Sequence, residues 1–196
     1  MLAAANGDAL EALWHLALTT GMRRGELLGL RWSDVDFNAG TLSVRRTLSR
    51  GSTSRLEIGE PKTVAGRRRV ALAASTVERL RRDGTEPKEL WLAVGRGYAD
   101  RDLEFATVNR TPIRPNTLSR AYDKLIERAE VPRIRFHDLR HTCASLLLAQ
   151  GVSPRVVMEV LGHSQLSVTM DLYSHVMPSA LRDAAEAMDR ALSGGR

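Results

Sequence analysis

A chain of 196 residues, 43% hydrophobic and 27% charged, suits one globular domain or one with a small appendage, and no apolar run approaches the ~18 residues a membrane-spanning helix needs. The single Cys143 excludes an intrachain disulfide and fits a reducing compartment, no Cys/His cluster has zinc-finger spacing, and no signal peptide opens the chain. The net charge of +6, carried by 26 Arg and only 3 Lys, points toward phosphate, although a GC-rich genome also encodes Arg-rich chains.

Leu10, Leu13, Trp14, Ala17 and Leu18 make one apolar stripe and predict a helix over 7–19, ended by Gly21, with His15 off the stripe and on the surface. Thr20-Gly21-Met22-Arg23-Arg24-Gly25-Glu26 is a tight turn into a second helix that ends near Arg31. Arg23 therefore stands at a helix N-terminus, where an anion is welcome and a cation is not. It pairs with Glu26, with a phosphate, or with both.

Residues 41–46, 56–60 and 68–72 read as strands of one small three-stranded antiparallel sheet. Gly51-Ser52-Thr53-Ser54 is a turn, and Pro61 to Gly66 is a hairpin loop carrying Lys62. Charge concentrates here. Residues 42–69 hold eight bases (Arg45, Arg46, Arg50, Arg55, Lys62, Arg67, Arg68, Arg69) and two acids (Glu57, Glu60), so this stretch alone carries 8 − 2 = +6. Such an excess is a phosphate-facing surface or a solvated hairpin.

A helix over 75–82 has Ser75 as N-cap. Residues 83–115 give weak signals, with Leu90-Trp91-Leu92 as a short buried segment. Asn116 or Thr117 caps a helix running to about Ala129, with Leu118, Ala121, Tyr122, Leu125 and Ile126 on one face. Ile134 to Thr142 flows into an apolar helix to Gln150, stopped by Gly151. His137 and Arg140, at i and i+3, share a face and can touch one anion. His137 and His141 have the spacing of a helical zinc pair, but Asp138 is too short to serve as the Glu of a metalloprotease, and a metal is not expected. Ser153-Pro154 opens a further helix that stops at Gly162. His163 follows at the turn, Ser164 and Ser167 are candidate caps, and Tyr173 ends the next short segment on an expected tether. Pro178 starts a last helix with Leu181, Ala184, Ala185, Met188 and Leu192 in a stripe, and 193–196 is an expected disordered tail.

Arg23, Lys62, His137, Arg140, His163 and Tyr173 suit one chemistry that needs neither metal nor nucleotide. A tyrosine attacks a phosphodiester in line, guanidiniums hold the non-bridging oxygens, a lysine protonates the leaving alkoxide, and histidines bond the phosphate or take the phenol proton. Four motifs in order resemble the tyrosine recombinases, the phage integrase family. These are Thr20 to Asp36 around Arg23, Pro61-Lys62-Thr63 with Arg67-Arg68-Arg69-Val70, His137-Asp138-Leu139-Arg140-His141-Thr142, and Leu161-Gly162-His163 with Tyr173-Ser174-His175. The match runs from about residue 10 to about residue 178.

The resemblance implies an α+β fold, mainly helical with a small antiparallel sheet: a catalytic domain over 1–178, then a C-terminal helix over 179–192 that packs in cis or exchanges between protomers. Family members carry a core-binding domain before this point, and the expectation is that it is absent here. The resemblance further implies that Arg23, Lys62, His137, Arg140 and His163 surround the scissile phosphate, that Tyr173 forms a 3′-phosphotyrosine, and that Glu26 orients the site. DNA contacts are expected from Arg24, Arg45, Arg46, Arg67, Arg68 and Arg69. Implied partners are double-stranded DNA attachment sites and further protomers, as a tetramer on DNA and a monomer without it. No cofactor, metal or membrane is implied, and the location is a bacterial cytoplasm, on DNA. A DNA-binding accessory protein or relic is the alternative, and a type IB topoisomerase shares the chemistry but resembles the hairpin and His-x-x-Arg segments less.

Overall fold

A computed structural model describes residues 1–51, 55–61, 63–83, 103–107, 111–162 and 180–193. Helix α1 (Glu11–Thr20) lies at the centre of the molecule. Ala12, Leu13, Trp14, His15, Leu16, Ala17 and Thr20 are all buried, so the helix is wrapped on every side rather than along one stripe. It starts later than residue 7 because Asp8 forms a turn, its carboxylate accepting from the Leu10 amide at 2.9 Å and the Trp14 indole at 3.3 Å. His15 is therefore not a surface residue. It is 8% exposed, and its Nδ1 lies 3.1 Å from the Thr76 hydroxyl.

Gly21 ends α1 in the left-handed conformation, at φ +59°, with its amide donating to the Ala17 carbonyl at 3.1 Å. A Cβ here would lie 2.3 Å from Leu161 Cδ2, so only glycine lets the helices below come this close. Helix α2 (Arg24–Leu28) follows, and it stops at Gly29, short of the expected Arg31. Trp32–Asp34 is a single 3₁₀ turn instead.

The sheet region is arranged differently from the expectation. Strands β1 (Val35–Asp36), β2 (Thr41–Val44) and β5 (Arg68–Ala71) form the three-stranded antiparallel sheet, in the order β1-β2-β5. Strands β3 (Thr47–Arg50) and β4 (Leu56–Gly59) form a separate two-stranded hairpin, Leu48 opposite Ile58. The single strand read over 41–46 ends at Val44. The cause is Arg46, whose Nη1 donates to both oxygens of buried Asp34 at 2.9 and 2.8 Å and holds the chain out of the ladder. The next four residues then zip onto 56–59, their nearest partner in sequence. After this excursion β5 returns to β2, with Leu42 opposite Val70 and Val44 opposite Arg68.

Helix α3 covers 74–83, so Ser75 lies in its first turn rather than at its cap. Helix α4 (Pro115–Arg128) begins with Pro115, whose fixed φ suits the first helical position, and not with an Asn116 or Thr117 cap. It buries the expected face, Leu118, Tyr122, Leu125 and Ile126. Tyr122 stacks tilted on Trp14 of α1 at 5.9 Å and edge-on to Phe136 at 5.4 Å. Helix α5 (Asp138–Ala149) packs along α1 and against α6 (Pro154–Leu161), which Ser153 caps through its hydroxyl on the Val156 amide. Gly162 closes α6 at φ +67°. Helix α7 (Ala180–Ser193) includes Ser193, which is thus not in a tail, and leaves Met188 and Leu192 exposed. Among the described residues no helix is long and apolar enough to cross a membrane.

Candidate active site

The sharp turn at Gly21 brings α1, the start of α2, the start of α5 and the end of α6 to one point, and a cluster of ionised side chains fills it. Glu26 is its centre and is 2% exposed. As the third residue of α2, its carboxylate reaches back to accept from the Arg23 amide at 2.9 Å, one half of a capping box. Its two oxygens also accept from Arg23 Nη1 at 2.8 Å, from Arg68 Nη1 at 3.2 Å and from Arg68 Nη2 at 3.0 Å. Burial alone would raise the Glu26 carboxyl, but the hydrogen bonds and charges of Arg68 and Arg23 outweigh it and hold the group below its ordinary range. Glu26 is a buried anion.

Arg140 comes from the first turn of α5 and is 5% exposed. Its Nη1 donates to the Gly21 carbonyl at 2.7 Å, while Nη2 is buried and has no partner among the described residues. Burial and the neighbouring Arg23 and Arg68 cations lower its pKa to about 9, so it still carries its charge at neutral pH. Among the described residues, three guanidiniums around one carboxylate leave the cluster at 3 − 1 = +2. A buried site with that excess and an idle N–H favours a further anion.

His137 stands just before α5, exposed where Arg140 is buried, and packs its ring edge-on to His141 at 5.6 Å. Partial desolvation of its ring, with the His141 and Arg140 charges, pulls its pKa below the ordinary value, so it is neutral at pH 7. Among the described residues, no group of three or more His, Cys, Asp or Glu gathers as a metal site.

Lys62, His163 and Tyr173 lie outside the described residues, as do Leu90 to Leu92, Ser164, Ser167 and Pro178. The described chain next to two of them converges on the cluster. The Gly162 carbonyl accepts from Arg23 Nη2 at 3.2 Å, and a Cβ on Gly162 would sit 2.6 Å from the Ala65 carbonyl. The residue before His163 thus touches both Arg23 and the turn that follows Lys62.

The six arginines expected to face DNA divide. Arg45, Arg67 and Arg69 are exposed, with side chains 63%, 54% and 62% accessible. Arg24 donates to the Ser119 hydroxyl at 2.9 Å on the rim of an open groove of about 710 Å³, which Arg50, Asn116, Arg135 and His137 also line. Arg46 is held by Asp34. Arg68 does not face outward at all: its side chain is 7% exposed and locked on Glu26. The sequence carried the signal. In a strand, residues two apart share a face, so Arg68 points with Val70, which is apolar and buried, while Arg67 and Arg69 point away.

Residues 3–179 match the phage integrase family. A tyrosine recombinase XerC-like protein of Caldanaerobacter subterraneus subsp. tengcongensis is 36% identical over 198 residues, covering 95% of this chain and 50% of that protein. The ICEBs1 integrase of Bacillus subtilis is 28% identical over 182 residues, covering 93% and 49%. The chain therefore spans about half the length of the curated relatives it matches. Among solved structures, the XerA recombinase superposes with a TM-score of 0.67 at 27% identity, over 95% of this chain and 61% of that one. The Tn1549 transposon integrase in complex with transposon right end DNA superposes at 0.80 and 23% identity, over 96% and 62%, a likeness of fold. The architecture and sequence agree, and the chain belongs to the phage integrase family.

Proposed function

We propose that this chain is the catalytic part of a site-specific DNA recombinase that cuts and rejoins double-stranded attachment-site DNA through a covalent tyrosine intermediate. The observation that carries the reading is the cluster around Glu26, which among the described residues has a charge of +2 and leaves Arg140 Nη2 without a partner. The names of its relatives, recombinases and integrases, support it.

In this mechanism the Tyr173 oxygen attacks the scissile phosphorus and the bond to the 5′ oxygen breaks. The phenol proton passes to a histidine, His137 being neutral and able to accept, or to solvent. Arg23 and Arg140 hold the two non-bridging oxygens as charge builds on them, a preorganised arrangement because both are already fixed, one by Glu26 and one by the Gly21 carbonyl. His163 hydrogen-bonds the phosphate, and Lys62 gives its proton to the departing 5′ oxygen. The phosphotyrosine keeps the ester bond energy, so attack by a 5′ hydroxyl restores the strand without ATP. Arg24, Arg45, Arg67 and Arg69 would neutralise flanking phosphates. Assembly on DNA as a tetramer, a monomeric state without DNA, and action in a bacterial cytoplasm belong to the same reading.

The test is a duplex attachment site nicked beside the scissile phosphate, so that cleavage releases a short fragment and traps protein on DNA. The parent chain is expected to form an adduct stable to denaturant, and Tyr173→Phe none. Salt-dependent binding with no adduct at any concentration, in the parent, would overturn the reading in favour of an accessory DNA-binding protein.

A further inference from the structure

We infer that Arg68 is a positioning residue for this reaction: it acts through Glu26 to set the direction of Arg23, and it does not touch DNA. The inference rests on the recombinase reading above and assigns a role to a residue that lies within the densest basic run of the chain.

Arg68 leaves β5 on the inner face and makes four hydrogen bonds. Nη1 and Nη2 donate to separate Glu26 oxygens at 3.2 and 3.0 Å, Nε donates to the Val160 carbonyl at 2.7 Å, and Nη1 also reaches the Gly66 carbonyl at 3.4 Å. One guanidinium thereby ties three segments together: the turn after Lys62, the end of α6 just before His163, and the start of α2. Gly162 packs against its aliphatic stem, where a Cβ would come 2.8 Å from Arg68 Cδ.

The charge balance gives this strut a mechanistic consequence. Glu26 accepts from two arginines, but they are not equivalent. Arg68 is buried, while the Arg23 side chain is 41% exposed and free to offer donors outward. With Arg68 in place, both Glu26 oxygens already accept from a buried cation, and Arg23 is held at one oxygen and at the Gly162 carbonyl. Without Arg68, Arg23 is the one described guanidinium left hydrogen-bonded to buried Glu26, with Arg140 acting on it only through space. The carboxylate then draws the Arg23 guanidinium inward, away from a phosphate, and becomes easier to protonate. A lysine cannot substitute fully, because a point charge does not bridge two carboxylate oxygens and a carbonyl in one plane.

The experiment compares the parent chain with Arg68→Met, Glu26→Gln and the double variant, on the nicked duplex and without DNA. Arg68→Met is expected to slow adduct formation at saturating DNA by about 10²-fold, the cost of a misdirected group. The slope of log Kd against log salt should stay unchanged, because no phosphate contact is lost. In the Glu26→Gln background the same substitution should change the rate far less. Carbon-13 NMR of the Glu26 carboxyl, without DNA, should show it titrating at higher pH in Arg68→Met than in the parent. A salt slope reduced by about one with an unchanged rate would mean direct phosphate contact and overturn the proposal. So would rate effects that multiply in the double variant. If Arg68→Met does not fold, Arg68→Lys is read the same way; if neither folds, Arg68 is a structural residue only and the proposal fails. If the parent forms no adduct, the recombinase reading fails, and an unmoved Glu26 titration then also removes the link from Arg68 to Glu26.

Discussion

Arg67, Arg68 and Arg69 are neighbours in sequence and opposites in structure. Arg67, just before β5, and Arg69, on its outer face, pair with Glu60 and with Asp36, each with more than half of its side chain exposed. Arg68 is sealed against Glu26. The same guanidinium is a screened surface charge on one side of the strand and a fixed part of an anion site on the other. Burial, not residue type, separates a group that attracts DNA from one that shapes the chemistry.

The comparison breaks first at its buried side. Glu26→Ala leaves Arg23, Arg68 and Arg140 without their shared counter-charge, and should cost about 3–5 kcal/mol of stability in a urea titration, as breaking buried pairs does. A loss under about 1 kcal/mol would place the cluster in the class of surface pairs. Next comes Arg140→Ala, which removes an N–H aimed at the proposed phosphate. Adduct formation should fall by about 10²–10³-fold, the usual effect of deleting one such donor. An equal rate would show that Arg140 serves only to hold the Gly21 carbonyl.

Acid tests the buried groups in sequence. His15 is held neutral by burial and by Arg79, with Glu11 opposing, so its folded pKa lies below 6.5. Its contribution is complete above that value and is lost as pH falls through it. Glu26, depressed below 4.5, contributes above that value and is lost at lower pH still. Stability measured against pH should therefore begin to fall below about 6.5 and steepen below about 4.5. His15→Gln should shrink the first decline, leaving the share of His137, and Glu26→Gln the second, leaving the shares of Asp8 and Asp138. The smallest expected effect is at the outer face. Arg67→Ala should change stability by less than about 1 kcal/mol while lowering the salt slope of DNA binding by about one.

Much of this was legible in the sequence. Gly21 and Gly162 were read as helix stops, and both take the left-handed conformation. The pairing of Arg23 with Glu26 is one of the alternatives that its place at a helix N-terminus offers, and the structure forms it. What escaped depends on contacts distant in sequence. His15 looked exposed because the stripe on α1 suggested one buried face, yet α3 covers it with Thr76. The strand at 47–50 buries only Leu48, so alternation does not reveal it, and Arg46 just before it bonds to Asp34, twelve residues earlier. Local charge places Arg68 with the basic surface, whereas the alternation that pairs it with Val70 places it inside.

The central claim is that the cluster around Glu26 is the seat of a covalent step on DNA phosphate. The direct measurement is mass spectrometry of tryptic peptides after reaction with the nicked duplex. A nucleotide mass on the peptide containing Tyr173, lost in Tyr173→Phe and strongly reduced in Arg140→Ala, is the predicted result. A nucleotide on any other residue, or an adduct that persists without Tyr173, would contradict it.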